Sequence, residues 1–121
     1  MIRGVGIDIL EISRVSERLA KRVLSEEEFS IWKTHESKEF LAGRFALKEA
    51  FFKAIGTGIR DVNLNTLSFV PDELGALHLL ENDVVNSLKD GYSFDLVHVS
   101  LSHDGGIVVA LVVLESKDIG H

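Results

Sequence analysis

Cysteine is absent from this chain. With it go disulfide bonds, thiolate catalysis and every cysteine-ligated metal site, so a metal held here must sit on oxygen or imidazole. Proline occurs once, which argues against a disordered or linker-rich chain. No apolar run approaches the roughly 20 residues that a membrane span requires. The N-terminus also lacks a basic stretch followed by an apolar one and a cleavage site, so the expected location is the cytoplasm. Positive charge is in the minority, 13 Lys and Arg against 19 Asp and Glu, and the net charge of −6 disfavours nucleic acid as a general partner. What remains is a chain of 121 residues, 45% hydrophobic and 26% charged, with no repeat or low-complexity segment, which fits one domain.

Ile2 to Leu10 alternates in the manner of a strand, with Val5, Ile7 and Ile9 on one face and Gly4, Gly6 and Asp8 on the other. The glycine face lets something approach the backbone closely, or lets another chain pack there. Ser13 is placed to cap a helix to about Val23, with Val15, Leu19 and Val23 as its buried stripe. Ser25 and Glu28 form a capping-box pattern before a short helix near Glu26 to Trp32. Ser37 then opens a long helix that ends at Gly56. Beyond it, Leu64 to Val70 and Ala76 to Leu80 read as strands joined by a turn at Pro71 to Gly75. Asn82 to Leu88 reads as a helix ending near Gly91. Phe94 to His103 and Ile107 to Leu114 flank Asp104-Gly105-Gly106, a strong hairpin signal. This order implies an α+β fold with a five-stranded sheet and several helices. Residues 116–121 have no apolar periodicity and are expected to form a loose tail.

Four groups of residues carry candidate chemistry. Glu49 and Lys53 lie four apart on one helical face with Lys48 about 100° round, and Asp8 stands on the glycine-lined strand. Two carboxylates plus a substrate phosphate suffice for a hard cation such as Mg²⁺, and a lysine nearby suits a phosphate oxygen. A surface Glu49/Lys53 pair worth about 0.2–0.5 kcal/mol is the more common meaning of such spacing, but the apolar helix and the bare strand face favour a site. His103 ends the run Val-His-Val-Ser-Leu-Ser-His-Asp. Ser102, His103 and Asp104 alternate in facing, so no local Ser-His-Asp triad forms. Gly56-Thr57-Gly58 does not continue to a dinucleotide fingerprint, because Asp61 stands where the last glycine belongs and the motif follows a helix. Arg14, Arg18, Lys21 and Arg22 recur every three to four residues as a local basic stripe, either a solvated face or a docking surface for an acidic partner.

Three blocks together resemble the short, single-domain class of 4′-phosphopantetheinyl transferases, the holo-acyl-carrier-protein synthases: Gly4 to Ile12, Phe40 to Ile59, and Ser100 to Asp104. The middle block, with its Lys-Glu-Ala, Lys53 and Gly-Thr-Gly, is the most specific. The resemblance implies that family's fold, with about five mainly antiparallel strands packed with one long and several shorter helices. It implies transfer of 4′-phosphopantetheine from coenzyme A to a serine of apo acyl carrier protein, releasing adenosine 3′,5′-bisphosphate. By the same resemblance, Asp8 and Glu49 would bind Mg²⁺, and Lys48 and Lys53 would contact phosphate. Gly56, Thr57, Gly58, Ser102 and His103 would line the coenzyme site, with His103 also catalytic. Arg14, Arg18, Arg22 and Arg44 would meet the acidic helix of the carrier protein. A homotrimer with active sites between subunits is implied as well, in the service of fatty acid biosynthesis. The turn Glu73-Leu74-Gly75-Ala76 lacks the Gly-Lys-Pro that many members carry there, so no coenzyme contact is transferred to it. Two other functions use much the same residues, a metal-dependent nucleotide pyrophosphohydrolase and a non-catalytic coenzyme A or nucleotide-binding module.

Overall fold

The computed structural model describes residues 1–56 and 62–117. Thr57 and Gly58 of the post-helix loop, and the last four residues of the expected tail, lie outside the described residues.

Strand β1 (Ile2–Glu11) runs into two 3-10 turns, Ile12–Arg14 and Glu17–Leu19, and a single turn of helix, α1 (Ala20–Val23). Helix α2 (Glu26–Trp32) and the long α3 (Lys38–Ile55) follow. After them come a 3-10 turn at Leu64–Thr66, the short strands β2 (Phe69–Pro71) and β3 (Leu77–Leu79), α4 (Asp83–Tyr92), and the hairpin β4 (Leu96–Asp104) and β5 (Ile107–Glu115). The fold is α+β and every strand pairing is antiparallel. The five strands do not form one sheet: β1, β5 and β4 pair in that order, and β2 pairs only with β3.

Helix α3 ends as its sequence requires. Ser37 accepts the Phe40 N–H at its start, and Gly56 closes it at φ 89°, a left-handed conformation that costs glycine nothing. Helix α3 covers one face of the three-stranded sheet. Leu41, Leu47 and Phe51 of α3 are fully buried, as are Val108, Ala110, Val112 and Leu114, which alternate along β5. Phe51 packs edge-on against Phe69 and Phe94, tying the small hairpin and the start of β4 to the same core.

The expected helix from Ser13 to Val23 is broken. Ser16 adopts an extended conformation and turns its hydroxyl to the Arg18 N–H, which ends one turn and starts the next. Val15 and Val23 are nevertheless buried, so the apolar stripe survives without a continuous helix. The strand expected from Leu64 is likewise shortened to Phe69–Pro71. Ser116 and Lys117 are tied down, Ser116 by a backbone bond to Met1 and Lys117 by one to the Asp95 carboxylate. Among the described residues no helix is long and apolar enough to cross a membrane.

Candidate active site

Gly4 and Gly6 let β1 lie directly on α3. A Cβ on Gly6 would stand 1.9 Å from the Ala50 carbonyl oxygen, and one on Gly4 equally close to that of Ala54. The strand's close approach is therefore to its own helix, and the free face is the one bearing Val5, Ile7 and Ile9. Asp8 follows Gly6 on the helix side and meets Lys53, whose Nζ donates to Asp8 Oδ1 at 2.9 Å and to the Ile7 carbonyl at 3.2 Å. Asp8 is largely enclosed, its side chain 16% exposed, whereas Lys53 is 55% exposed and sits in the last helical turn, where the helix dipole favours a cation. Glu49, half-buried, stands one turn before Lys53 on the same flank. Asp8 of β1 and Lys53 of α3 thus meet, with Glu49 one turn earlier on the same helix.

Lys48 departs from the phosphate-binding role expected of it. Rotated about 100° from Glu49, it faces inward and is fully buried, donating to the Val23 carbonyl and, at 2.5 Å, to Glu28 Oε1. Arg44 departs too. It is 6% exposed, donates from Nε to the Phe69 carbonyl at 2.9 Å, and lies over the Phe40 ring, so it presents no docking surface. Burial pushes both cations below their ordinary pKa values, opposed in each case by the Glu28 charge. Sequence reading identified Glu28 only as a capping-box partner. That role is present, but the same carboxylate also serves residues 20 and 41 positions away, a nonlocal pairing that no spacing rule announces.

His103 does not join Asp8 within the chain. It lies on the helix side at the end of β4, with Nδ1 3.3 Å from Glu39, and β5 separates its strand from β1. Two strand spacings put it on the order of 10 Å across the sheet. Ser102 points to the opposite face, beside the exposed side of β5. The arginines of the first segment are exposed. Arg14 and Arg18 line a cavity of about 400 Å³ together with Lys38 of α3, and Arg22 lines one of about 430 Å³ with Leu19, Phe45 and Leu64.

The family model of the 4′-phosphopantetheinyl transferase superfamily, ACPS, matches residues 4–112. The chain belongs to that superfamily. It is 47% identical over 118 residues to the holo-[acyl-carrier-protein] synthase of Thermotoga maritima, an alignment that spans 97% of this chain and 65% of the longer Thermotoga protein. The crystal structure of the Neisseria meningitidis holo-[acyl-carrier-protein] synthase superposes with a TM-score of 0.87 at 32% identity, covering 96% of this chain and all of that one. The Bacillus anthracis synthase, solved in complex with CoA (3′,5′-ADP), superposes at 0.80 with 38% identity, covering 97% of this chain and 99% of that one.

In a transferase of this superfamily, the oxygen-only donor set of Asp8 and Glu49 suits a hard divalent ion and offers nothing to a soft one. Among the described residues no group of three or more His, Asp or Glu gathers to hold a metal. An ion held by these two carboxylates would thus complete its shell from water and substrate oxygen, the usual habit of Mg²⁺. Lys53 already spans toward Asp8 and is long enough to exchange that oxygen for a phosphate. The chemistry of the donor set fits the group.

Proposed function

We propose that Asp8, Glu49 and Lys53 are the reaction centre at which this transferase moves 4′-phosphopantetheine from coenzyme A to a serine hydroxyl of apo acyl carrier protein, with adenosine 3′,5′-bisphosphate as the leaving product. The observation that carries this assignment is the contact of Asp8 with Lys53, 2.9 Å apart beside Glu49 although 45 residues separate them in the chain. Asp8 and Glu49 would hold Mg²⁺, and that ion would supply neutralisation of the negative charge that grows on the pyrophosphate. Lys53 holds a phosphate oxygen and so aligns the coenzyme for in-line attack. The carrier serine oxygen bonds to the phosphorus as the pyrophosphate P–O bond breaks, and its proton is assigned to Glu49, since Lys53 is already a donor to Asp8.

His103 and Ser102 are assigned to the coenzyme site of a neighbouring subunit, which accords with their distance from Asp8 within one chain. A homotrimer is supported by the apolar outer face of the sheet: Val5, Ile7 and Ile9 are 58, 59 and 66% exposed, and Ile107 and Leu111 of β5 extend the patch. Carrier docking is assigned to Arg14, Arg18 and Arg22. Two of them share a groove with Lys38, a cation at the first position of α3, where the helix dipole disfavours one. On a chain of net charge −6, such a cluster suits an acidic partner.

Incubating the protein with coenzyme A, Mg²⁺ and an apo carrier protein, and weighing the carrier, tests the proposal. A mass gain equal to the phosphopantetheine group is expected. Cleaved coenzyme without a gain would mean hydrolysis, and unchanged reactants would mean a binding module. Asp8→Ala and Glu49→Gln are each expected to abolish the gain while the thermal transition stays cooperative; near-normal transfer in either variant would remove those two residues from the centre.

A further inference from the structure

The fully buried Glu28 carboxylate is bound on both oxygens. Oε1 accepts the Ser25 N–H at 2.9 Å and the Lys48 ammonium at 2.5 Å, while Oε2 accepts the Phe69 N–H at 2.8 Å and lies 3.9 Å from Arg44 Nε. One side chain thereby joins the start of α2, two successive turns of α3 and the first residue of β2. None of these groups reaches the reaction centre. Yet Lys48 immediately precedes Glu49, and both belong to the same rigid helix.

A buried ion cluster is a poor source of stability, because apolar side chains of equal volume often hold a fold as well or better. Its particular property is direction, since paired charges and hydrogen bonds are satisfied in one register only. Elsewhere α3 makes directional contacts through exposed side chains, Lys53 to Asp8 and the Ile7 carbonyl and Glu39 to His103, whereas the Glu28 cluster is buried. Beneath those side chains, α3 presents Ala50 and Ala54 to the bare glycines of β1, which sets a distance without a directional bond. The aromatic packing of Phe51 accommodates small rotations by repacking. A helix turned by about 10° carries a side-chain group at a radius of roughly 5–6 Å through about 1 Å. Misplacement on that order costs up to about a hundredfold in rate.

We propose that Glu28 is a positioning residue: through Lys48 and Arg44 it fixes the rotation of α3 about its axis and so aims Glu49 and Lys53 at Asp8. This rests on the reaction centre assigned above. Burial disfavours the Lys48 ammonium and the Glu28 carboxylate opposes that, so removing either partner alone leaves the other buried without its closest charge partner.

The test is the double variant Glu28→Gln/Lys48→Met in the full chain, compared with wild type and with Lys48→Met alone by thermal melting and by steady-state kinetics with coenzyme A and apo carrier. The double variant is expected to keep a cooperative transition at or above that of the single variant. Its kcat should fall by about tenfold to a hundredfold, with both KM values within about threefold of wild type. A folded double variant with wild-type kcat, or a loss confined to KM, overturns the proposal. So does a double variant with no cooperative transition, which would make the cluster a stability element. Wild-type protein that fails to modify the carrier would strike the assigned function first, and this proposal would fall with it.

Discussion

At the scale of single residues, the decisive feature is what is missing from Gly6. Gly6 is in a strand, and the space its Cβ would take is filled by the Ala50 carbonyl oxygen. That oxygen belongs to a helical backbone and has no rotamer to move aside. Gly6→Ala must therefore lift β1 from α3 and carry Asp8 away from Lys53. We expect a loss of about 3 kcal/mol or more in urea-unfolding stability, together with loss of transfer activity in whatever remains folded. A variant as stable and active as wild type would mean that the α3–β1 contact is looser than its geometry. The glycine pattern was legible in the sequence as a place of close approach. The identity of the approaching group was not, because helix and strand are about 40 residues apart and nothing local pairs them. Lys48 illustrates the converse. Its spacing from Glu49 was read correctly, but which of two neighbouring lysines faces solvent depends on where α2 packs.

At the scale of elements, local chemistry and tertiary context divide the credit. The α2 capping box, the Ser37 and Gly56 ends of α3, and the Gly105-Gly106 turn with φ values of 57° and 80° all formed where their residues indicate. The first helix did not, since Ser16 offers the backbone a competing partner and tertiary packing needs only Val15 and Val23 inward. The turn between β2 and β3 is organised by Asp72, which accepts the Leu74 and Ala76 N–H groups and pairs with His78 at 2.8 Å. The His78 hydrogen bond, chiefly, holds the Asp72 carboxyl below its ordinary range, helped by the two backbone donors. A folded-state pKa below the unfolded one favours folding only while the carboxylate is charged. Its contribution is thus present above the unfolded value of about 3.9 and is lost as pH falls through the lower folded value. His78→Ala should move the Asp72 midpoint upward in a carboxyl-carbon NMR titration. Its stability should approach that of wild type as pH falls through the lowered folded-state value. An unmoved midpoint would assign the shift to the backbone donors alone.

At the scale of the whole molecule, the sheet is covered on one side only. The other side carries Val5, Ile7 and Ile9 beside Ile107 and Leu111, in strands whose register sets Ile7 opposite Leu111 and Ile9 opposite Val109. A contiguous apolar face of this kind is costly in water unless covered. We expect the protein to run in light-scattering chromatography at about three times its chain mass of 13.4 kDa. Ile7→Lys, which places a charge at the middle of the patch, should shift it to the monomer mass and remove transfer if sites are shared between subunits. A wild-type monomer, or a trimeric Ile7→Lys protein, would send the search for the interface elsewhere. In the sequence these residues read simply as the apolar face of a strand. The placement of α3 on the glycine side is what leaves them outside.

The sequence alone determined the chemistry available to this protein and the family it resembles: no thiols, two carboxylates and a lysine in helical and strand settings, and glycines wherever the backbone needed room. These follow from residue types and short spacings, which act within a few positions along the chain. Tertiary structure alone decided which lysine meets Asp8 and which is buried on Glu28, which face of β1 is left bare, and how far His103 stands from the centre. Each of those depends on contacts between segments distant in sequence, and their geometry is settled by packing the whole core at once rather than by any local preference.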